Sequence, residues 1–287
     1  MKHCVLMTVY KDSDLINRII SSLPEDWGVF VHIDEKSNIE NIKNAVVIKK
    51  HKIYWGSFEH VEAFLDLMKI AFEDPRNFEY FHLITGQDYP CFSKTLLNKI
   101  ETEHKIYMEC FLIPQKSWTL WEGGYALYKY QTVSKWCDVR KGFGKICNII
   151  AKIIQYKKKK YLPPYEIYGG SLYSTFPRYA IEYVLDSHLL QDLRMRLKWS
   201  LCGEETFFQT LLMNSPYSKD IISSNFRYMD WSDAHPPKIL TLQDYTAVRE
   251  GYLFLRKIKL PESNGLLEKI DAEILGVRKC RLETCKS

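Results

Sequence analysis

The chain has 287 residues, 46% hydrophobic and 26% charged, which excludes wholesale disorder and leaves room for one large α/β domain or two small ones. The net charge of +5 suits anionic partners such as nucleotide phosphates or a membrane surface, and is too small to imply nucleic acid. No stretch approaches the roughly 18 consecutive apolar residues of a membrane span, and the apolar run in MKHCVLMTVYKDSD is too short for a secretion signal.

HCVLMTVY (3–10) reads as a buried first strand, followed by a polar turn and the helical pattern SDLINRIISSL. GVFVHIDE (28–35) is a second strand with acid at its carboxyl end, and NAVVIKK (44–50) a short third. GSFEHVEAFLDLMKIAFED (56–74) has apolar residues at helical spacing and stops before Pro75, with Ser57 as its expected cap. EYFHLITGQDYPC (79–91) is a strand running into a Gly-Asp-Pro loop. Strand–helix–strand alternation of this kind predicts a mostly parallel, Rossmann-like central sheet flanked by helices. Ligands in such sheets bind beyond the carboxyl ends of the strands, so the loops beginning near Tyr10, Asp34 and Gly86 are expected at one rim.

Residues 108–145 are aromatic and irregular. KICNIIAKIIQYKKKKYLPPY (145–165) is basic and amphipathic: Ile146, Ile149, Ile150, Ile153 and Ile154 share a helical face, and four lysines follow. It reads either as an ordinary surface helix or as a membrane-docking element spanning 141–161. After GGSLYSTF (169–176) come a helix from about 177 to 186, another near 189–199, and a third in SLCGEETFFQTLL (200–212). NFRYMDWSDAHPPKILTLQDY is loop-rich, GYLFLRKIKLPES is extended, and the C-terminus is helical and charged. With no internal repeat and no flexible linker, a single domain is expected. The eight cysteines show neither a CxxC pair nor zinc spacing and read as reduced, largely buried thiols.

The glycine-rich phosphate cradles are missing, as is a G-x-S-x-G elbow, so any phosphate must be held by side chains. Arg256-Lys257 in LFLRKI and Arg227 in NFRYMDW are the candidates, since each lies among apolar and aromatic residues; the alternative is ordinary surface charge. If the segment is extended, Arg256 points away from Lys257. The only Asp-x-Asp, Asp12-Ser13-Asp14, precedes a helix and reads as its N-cap rather than a metal ligand. Glu204 and Glu205 open the third helix: they are first-turn charges favoured by the dipole, or one is a base aimed into a cleft.

Several segments resemble the core-2/I-branching β-1,6-N-acetylglucosaminyltransferase family, which includes peptide O-xylosyltransferases. They are VFVHIDEKS, YWGSFEHVEA, HLITGQDYPC, GGSLYSTFPRYAIEYVL, EETFFQT, FRYMDWSDAHPPKILT and LFLRKI, in the family's order across most of residues 5–258. The resemblance implies a GT-A fold and inverting transfer from a UDP-sugar, UDP-GlcNAc first, to a glycan that in one reading is lipid-linked. It implies no metal ion and no other cofactor. Its Asp/Glu-Glu-x-x-x-x-Thr pattern makes Glu205 the catalytic base and leaves Glu204 as a cap. Lys257 and Arg227 then bind the diphosphate, with Arg256 a third candidate. Asp34 would accept from ribose or simply turn the chain, and Tyr10 and Lys11 would line the uracil pocket. Asp88 would orient the donor sugar or initiate its turn; Ser171 is a further sugar contact. Trp118, Trp121 and Tyr125 stack on acceptor sugars or belong to the core. Asp230, Trp231, Asp233 and His235 are expected to shape the loop near the diphosphate.

On this reading 1–110 is the nucleotide-sugar half, 111–260 the acceptor half and 261–287 a helical tail. The family's animal members carry an N-terminal anchor and luminal disulfides, neither of which is evident here. The expectation is therefore a bacterial-type cytoplasmic enzyme, peripheral at the inner membrane face if 141–161 docks there. The rivals are a non-catalytic glycan- or nucleotide-binding protein on the same scaffold, and another Rossmann-like enzyme, which the missing glycine-rich turn disfavours.

Overall fold

The computed structural model describes residues 2–116, 119–125, 131–155, 163–233, 237–249 and 251–276. Its centre is a seven-stranded sheet. The strands are β1 (His3–Val9), β2 (Gly28–Ile33), β3 (Val46–Ile48), β4 (Tyr80–Thr85), β6 (Ile106–Met108), β9 (Ser174–Pro177) and β10 (Ile221–Ile222), in the order β10-β6-β9-β4-β1-β2-β3. All run parallel except β9, which pairs antiparallel with both β4 and β6. This is the mostly parallel sheet expected from the strand–helix alternation. Every residue of β1 is buried, as a strand covered on both faces requires.

The two-residue period of the strands sorts their side chains onto two cores. Cys4, Leu6, Phe30, Phe81 and Leu83 face one, with α2 (Glu59–Phe72), α5 (Arg178–Asp186), α6 (Leu189–Leu197) and α7 (Phe207–Met213). Val5, Met7, Val31, Tyr80 and Ile84 face the other. That second layer holds α1 (Ser13–Ser22), α3 (Lys94–Glu103) and α9 (Asn264–Ile270), together with the short α8 (Tyr245–Val248). Helix α4 (Gly142–Gln155) lies between β6 and β9 in sequence.

Three local expectations change. Ser57 does not cap α2: its hydroxyl accepts from Tyr54 N–H at 3.2 Å, and the N-cap position is Phe58, with no side-chain bond. Residues 88–90 are not loop. They form β5 (Asp88–Pro90), which pairs with β12 (Phe254–Arg256) beside β11 (Arg227–Met229) in a second, three-stranded sheet. A two-stranded ribbon, β7 (Phe111–Leu112) with β8 (Tyr168–Gly169), interrupts the aromatic segment. Asp12 does cap α1, accepting from Leu15 N–H at 3.2 Å. The six described cysteines are free; Cys280 and Cys285 lie outside the described residues.

Candidate active site

The carboxyl ends of β1, β2, β4 and β6 and the start of antiparallel β9 share one rim of the sheet. Backbone bonds tie its loops together: Asp34 N–H donates to Val9 O at 2.8 Å and Gly86 N–H to Thr8 O at 3.0 Å. Along this rim lies an open cleft of about 510 Å³ between the loop after β1 and the loop after β2, lined by Tyr10, Lys11, Asp12, Ser37, Asn38 and Asn41 among others. A second cavity of about 90 Å³ is bounded by Lys11, Gly86, Gln87, Ile258 and Lys259. Lys11 and Asp12 line both, so the two spaces adjoin at these residues.

Tyr10 is 55% exposed, and Lys11 Nζ sits 5.3 Å from its ring centre. Asp34 does not line the cleft. Its carboxylate accepts from Lys36 Nζ at 2.6 Å and from Lys36 N–H at 3.0 Å, so it is buried and engaged in its own turn.

The small sheet supplies the cations. Asp88 pairs in register with Arg256, and Arg227 with Phe254, so Arg227, Phe254 and Arg256 occupy one face. Arg256 Nη1 donates to Thr85 Oγ1 at 2.6 Å and to Asp88 Oδ1 at 3.1 Å, and its guanidinium stacks 4.8 Å from the Tyr173 ring centre. Asp88 also accepts from Thr85 N–H and O–H, at 2.5 and 3.0 Å. Burial opposes the charge on Arg256, but Tyr173 and Asp88 outweigh it and hold its pKa above the usual value. Arg227 is 6% exposed and lines neither cavity. Its guanidinium lies 4.4 Å from the Phe254 ring centre and donates to Asn225 O at 2.8 Å and Ser174 O at 3.3 Å, while Nε has no partner. Burial brings its pKa down to about 10, which leaves it charged at neutral pH.

Lys257 is different. It is half-buried and makes no ion pair with a described residue. Its pKa is lowered first by burial and then by the like charges of Arg256, Lys11 and Lys259. Asp88 pairs with Arg256 and Glu262 with Lys259, whereas Lys257 and Lys11 make no ion pair with a described residue, so the positive charge left over here is one that an arriving anion relieves.

The charges of two carboxylates, Glu204 and Glu205, also reach Tyr173. Residues Gly203–Glu205 form a 3-10 turn ahead of α7. Glu204 is not the cap expected of it: no side chain caps this turn or α7, and Glu204 Oε2 is buried without a partner. Burial, with the charge of Glu205 added, pushes Glu204 up to about 8. Glu205 is pushed up to about 7, again by burial and then by Glu109. Desolvation raises the pKa of the half-buried Tyr173 phenol, and both carboxylates add to that rise. Gly170 N–H donates to Glu205 O at 2.9 Å, and a Cβ at Gly170 would fall 2.0 Å from Glu109 O, so only glycine lets these two segments meet.

Ser171 is fixed beside them: its N–H donates to Glu109 Oε2 at 3.1 Å and its carbonyl accepts from Gln209 Nε2 at 2.8 Å. Tyr125 is half-buried and packs against the α2–α7 core. Trp118, the Trp121 side chain and His235 lie outside the described residues. Trp231 is 63% exposed, and Asp230 holds Ser232 and faces Lys238 at 3.8 Å. Sequence reasoning missed Glu109, Tyr173 and Thr85. Glu109 had a signal, an acid directly after the short strand IYM, whereas Tyr173 and Thr85 are known only by what they touch. Among the described residues no group of three or more His, Cys, Asp or Glu side chains could hold a metal ion.

A model of the Core-2/I-Branching enzyme family matches residues 6–249. Xylosyltransferase 2 of Canis lupus familiaris is 28% identical over 131 residues, 38% of this chain and 15% of that protein. Xylosyltransferase sqv-6 of Caenorhabditis briggsae is 22% identical over 233 residues, 75% of this chain and 27% of that protein. The chain thus matches only a small part of the length of these relatives. Among solved structures, apo mouse xyloside xylosyltransferase 1 superposes with a TM-score of 0.36 at 10% identity, covering 89% of this chain and 97% of that one. The WbbM bifunctional glycosyltransferase gives a TM-score of 0.38 at 11% identity, covering 99% and 51%. Neither superposition bears on fold or activity.

Proposed function

We propose, from the premise that this chain belongs to the Core-2/I-Branching enzyme family, a family of glycosyltransferases, that it moves a sugar from a UDP-sugar to a glycan hydroxyl with inversion. The observation that carries this reading is Glu205: a half-buried carboxylate, pushed up to about 7 by burial, whose charge acts on Tyr173, the ring against which the Arg256 guanidinium lies. A base removes a hydroxyl proton best when its pKa lies near the working pH, and such a base is worth about 10²–10⁴-fold.

In this reading the nucleoside occupies the Tyr10–Lys11 cleft and the diphosphate reaches Lys257 and Lys11. Arg227 and Arg256 add fixed positive charge from the small sheet beneath. The acceptor oxygen loses its proton to Glu205 as it attacks the anomeric carbon, the bond from that carbon to the β-phosphate oxygen breaks, and UDP leaves with the electron pair. Fixed cations that need no reorganisation offset the charge on the leaving group, the task a divalent ion performs elsewhere. UDP-GlcNAc is the first donor to test. UDP-xylose stands beside it because the curated relatives are named xylosyltransferases.

The test is turnover over a panel of UDP-sugars, by UDP release with and without EDTA. Turnover should rise with pH through about 7, resist chelation, and fall at least 100-fold in Glu205→Gln. Full activity in Glu205→Gln, or activity lost to EDTA and restored by Mn²⁺, would remove the assignment.

A further inference from the structure

The geometry points to α4 as a docking element for an anionic lipid surface. Helix α4 presents Phe143, 78% exposed, Ile146 at 55%, Ile149 at 50% and Ile150 at 49%. At 3.6 residues per turn these four fall within an arc of about 120°, and no described side chain covers them. The helix holds to the body of the protein by another side: Gly144 is buried, where a Cβ would meet Asp138 O at 2.3 Å, and Cys147 is half-buried. Lys145 is exposed and, by the same geometry, lies about 40° outside the apolar arc, and the exposed Lys141 directly precedes the helix. Trp136, just before the helix, is 65% exposed with one edge on Trp199.

Charge decides what covers this face. From 139 to 165 the sequence carries seven lysines and no acidic residue, and Arg140 is neutralised by Asp138 at 2.8 Å. A second copy would bring like charge against like charge, which opposes self-association through this helix. Nucleic acid would answer the charge but has no partner for exposed isoleucines. A bilayer with anionic headgroups answers both, taking the apolar arc at the acyl boundary and the lysines at the phosphates. No described helix is long and apolar enough to cross a membrane, so the contact is one that lies on the surface. The inference does not depend on which sugar moves, or on Glu205.

The experiment is co-sedimentation of the full chain with vesicles of phosphatidylcholine alone and with about 30% phosphatidylglycerol, at low and high salt. Binding should be at least tenfold stronger to the anionic vesicles and fall with salt. It should fall at least tenfold again in the double variant Ile146→Asp, Ile150→Asp. These positions are already exposed, so circular dichroism and melting temperature of the variant should match the parent, which separates lost docking from lost folding. Equal binding to neutral vesicles, no binding at all, or undiminished binding of the folded double variant would overturn the inference. So would a concentration-dependent dimer that the double variant abolishes, because the face would then belong to a second copy.

Discussion

Glu204 and Glu205 adjoin each other at the same turn, and burial raises both. An ordinary glutamate titrates near 4.3 in an unfolded chain. Below that pH both carboxyls are neutral in the folded and unfolded states, and their burial costs no charge. As pH rises, the unfolded chain ionises first, so the folded state loses stability progressively until the folded groups ionise at about 7 and about 8. Replacing Glu204 with Gln removes that penalty at its source. The variant should melt higher than the parent at pH 8 and near the parent at pH 5, each kcal/mol gained being worth about 2–4 °C in a chain of this size. Calorimetry at the two pH values checks this. A variant less stable than the parent at pH 8 would mean that the unpartnered Oε2 is satisfied in a way that glutamine cannot copy.

Elements act here by bringing short segments into contact rather than by their length. Strands β5, β11 and β12 have three residues each, yet their register sets Arg256 against Asp88 and Arg227 against Phe254. The ribbon β7–β8 brings Gly170 against Glu109, and the backbone of Gly170 holds that of Glu205. Gly170→Ala forces this junction apart, because the carbonyl it meets is backbone and cannot rotate away. The expected result is a loss of turnover of tenfold or more, with UDP binding kept, since the cation cluster lies on other elements. Steady-state kinetics with a parallel UDP titration separates the two. Lost UDP binding in this variant would show that the two sides of the site are one rigid unit.

At the scale of the whole molecule, the proposed donor site is assembled from loops of the central sheet and from the segment after β12 of the small sheet, with Lys11 close enough to Lys257 for its charge to lower that lysine's pKa. A ligand held by both stabilises the folded chain by mass action, by about 2.7 kcal/mol at 100 times its Kd. UDP should therefore raise the melting temperature by several degrees, and Lys257→Ala should reduce that rise by at least half without lowering the melting temperature of the free protein. A thermal shift with NAD or S-adenosylmethionine in place of UDP would point to the rival Rossmann-like reading.

The strand–helix alternation, the rim shared by Tyr10, Asp34 and Gly86, the Asp12 cap and the amphipathic 142–155 helix were all legible in the sequence, because each rests on local periodicity or on a turn residue with a fixed preference. The ordered segments from VFVHIDEKS to LFLRKI were enough to place the family. What neighbours each side chain was not legible. Glu204 looked like a helix cap and is instead an acid whose Oε2 is buried without a partner, on a turn that the Gly170–Glu205 backbone bond ties to the segment before β9. Asp88 read as a donor-sugar contact or a turn residue, and nothing local announced that it also partners a cation 168 positions away, because β5 leaves the main sheet for a second one. Local patterns report what a segment prefers by itself; the charge state of a carboxyl depends on solvent exclusion and on groups brought from distant parts of the chain, and only the packed fold sets those.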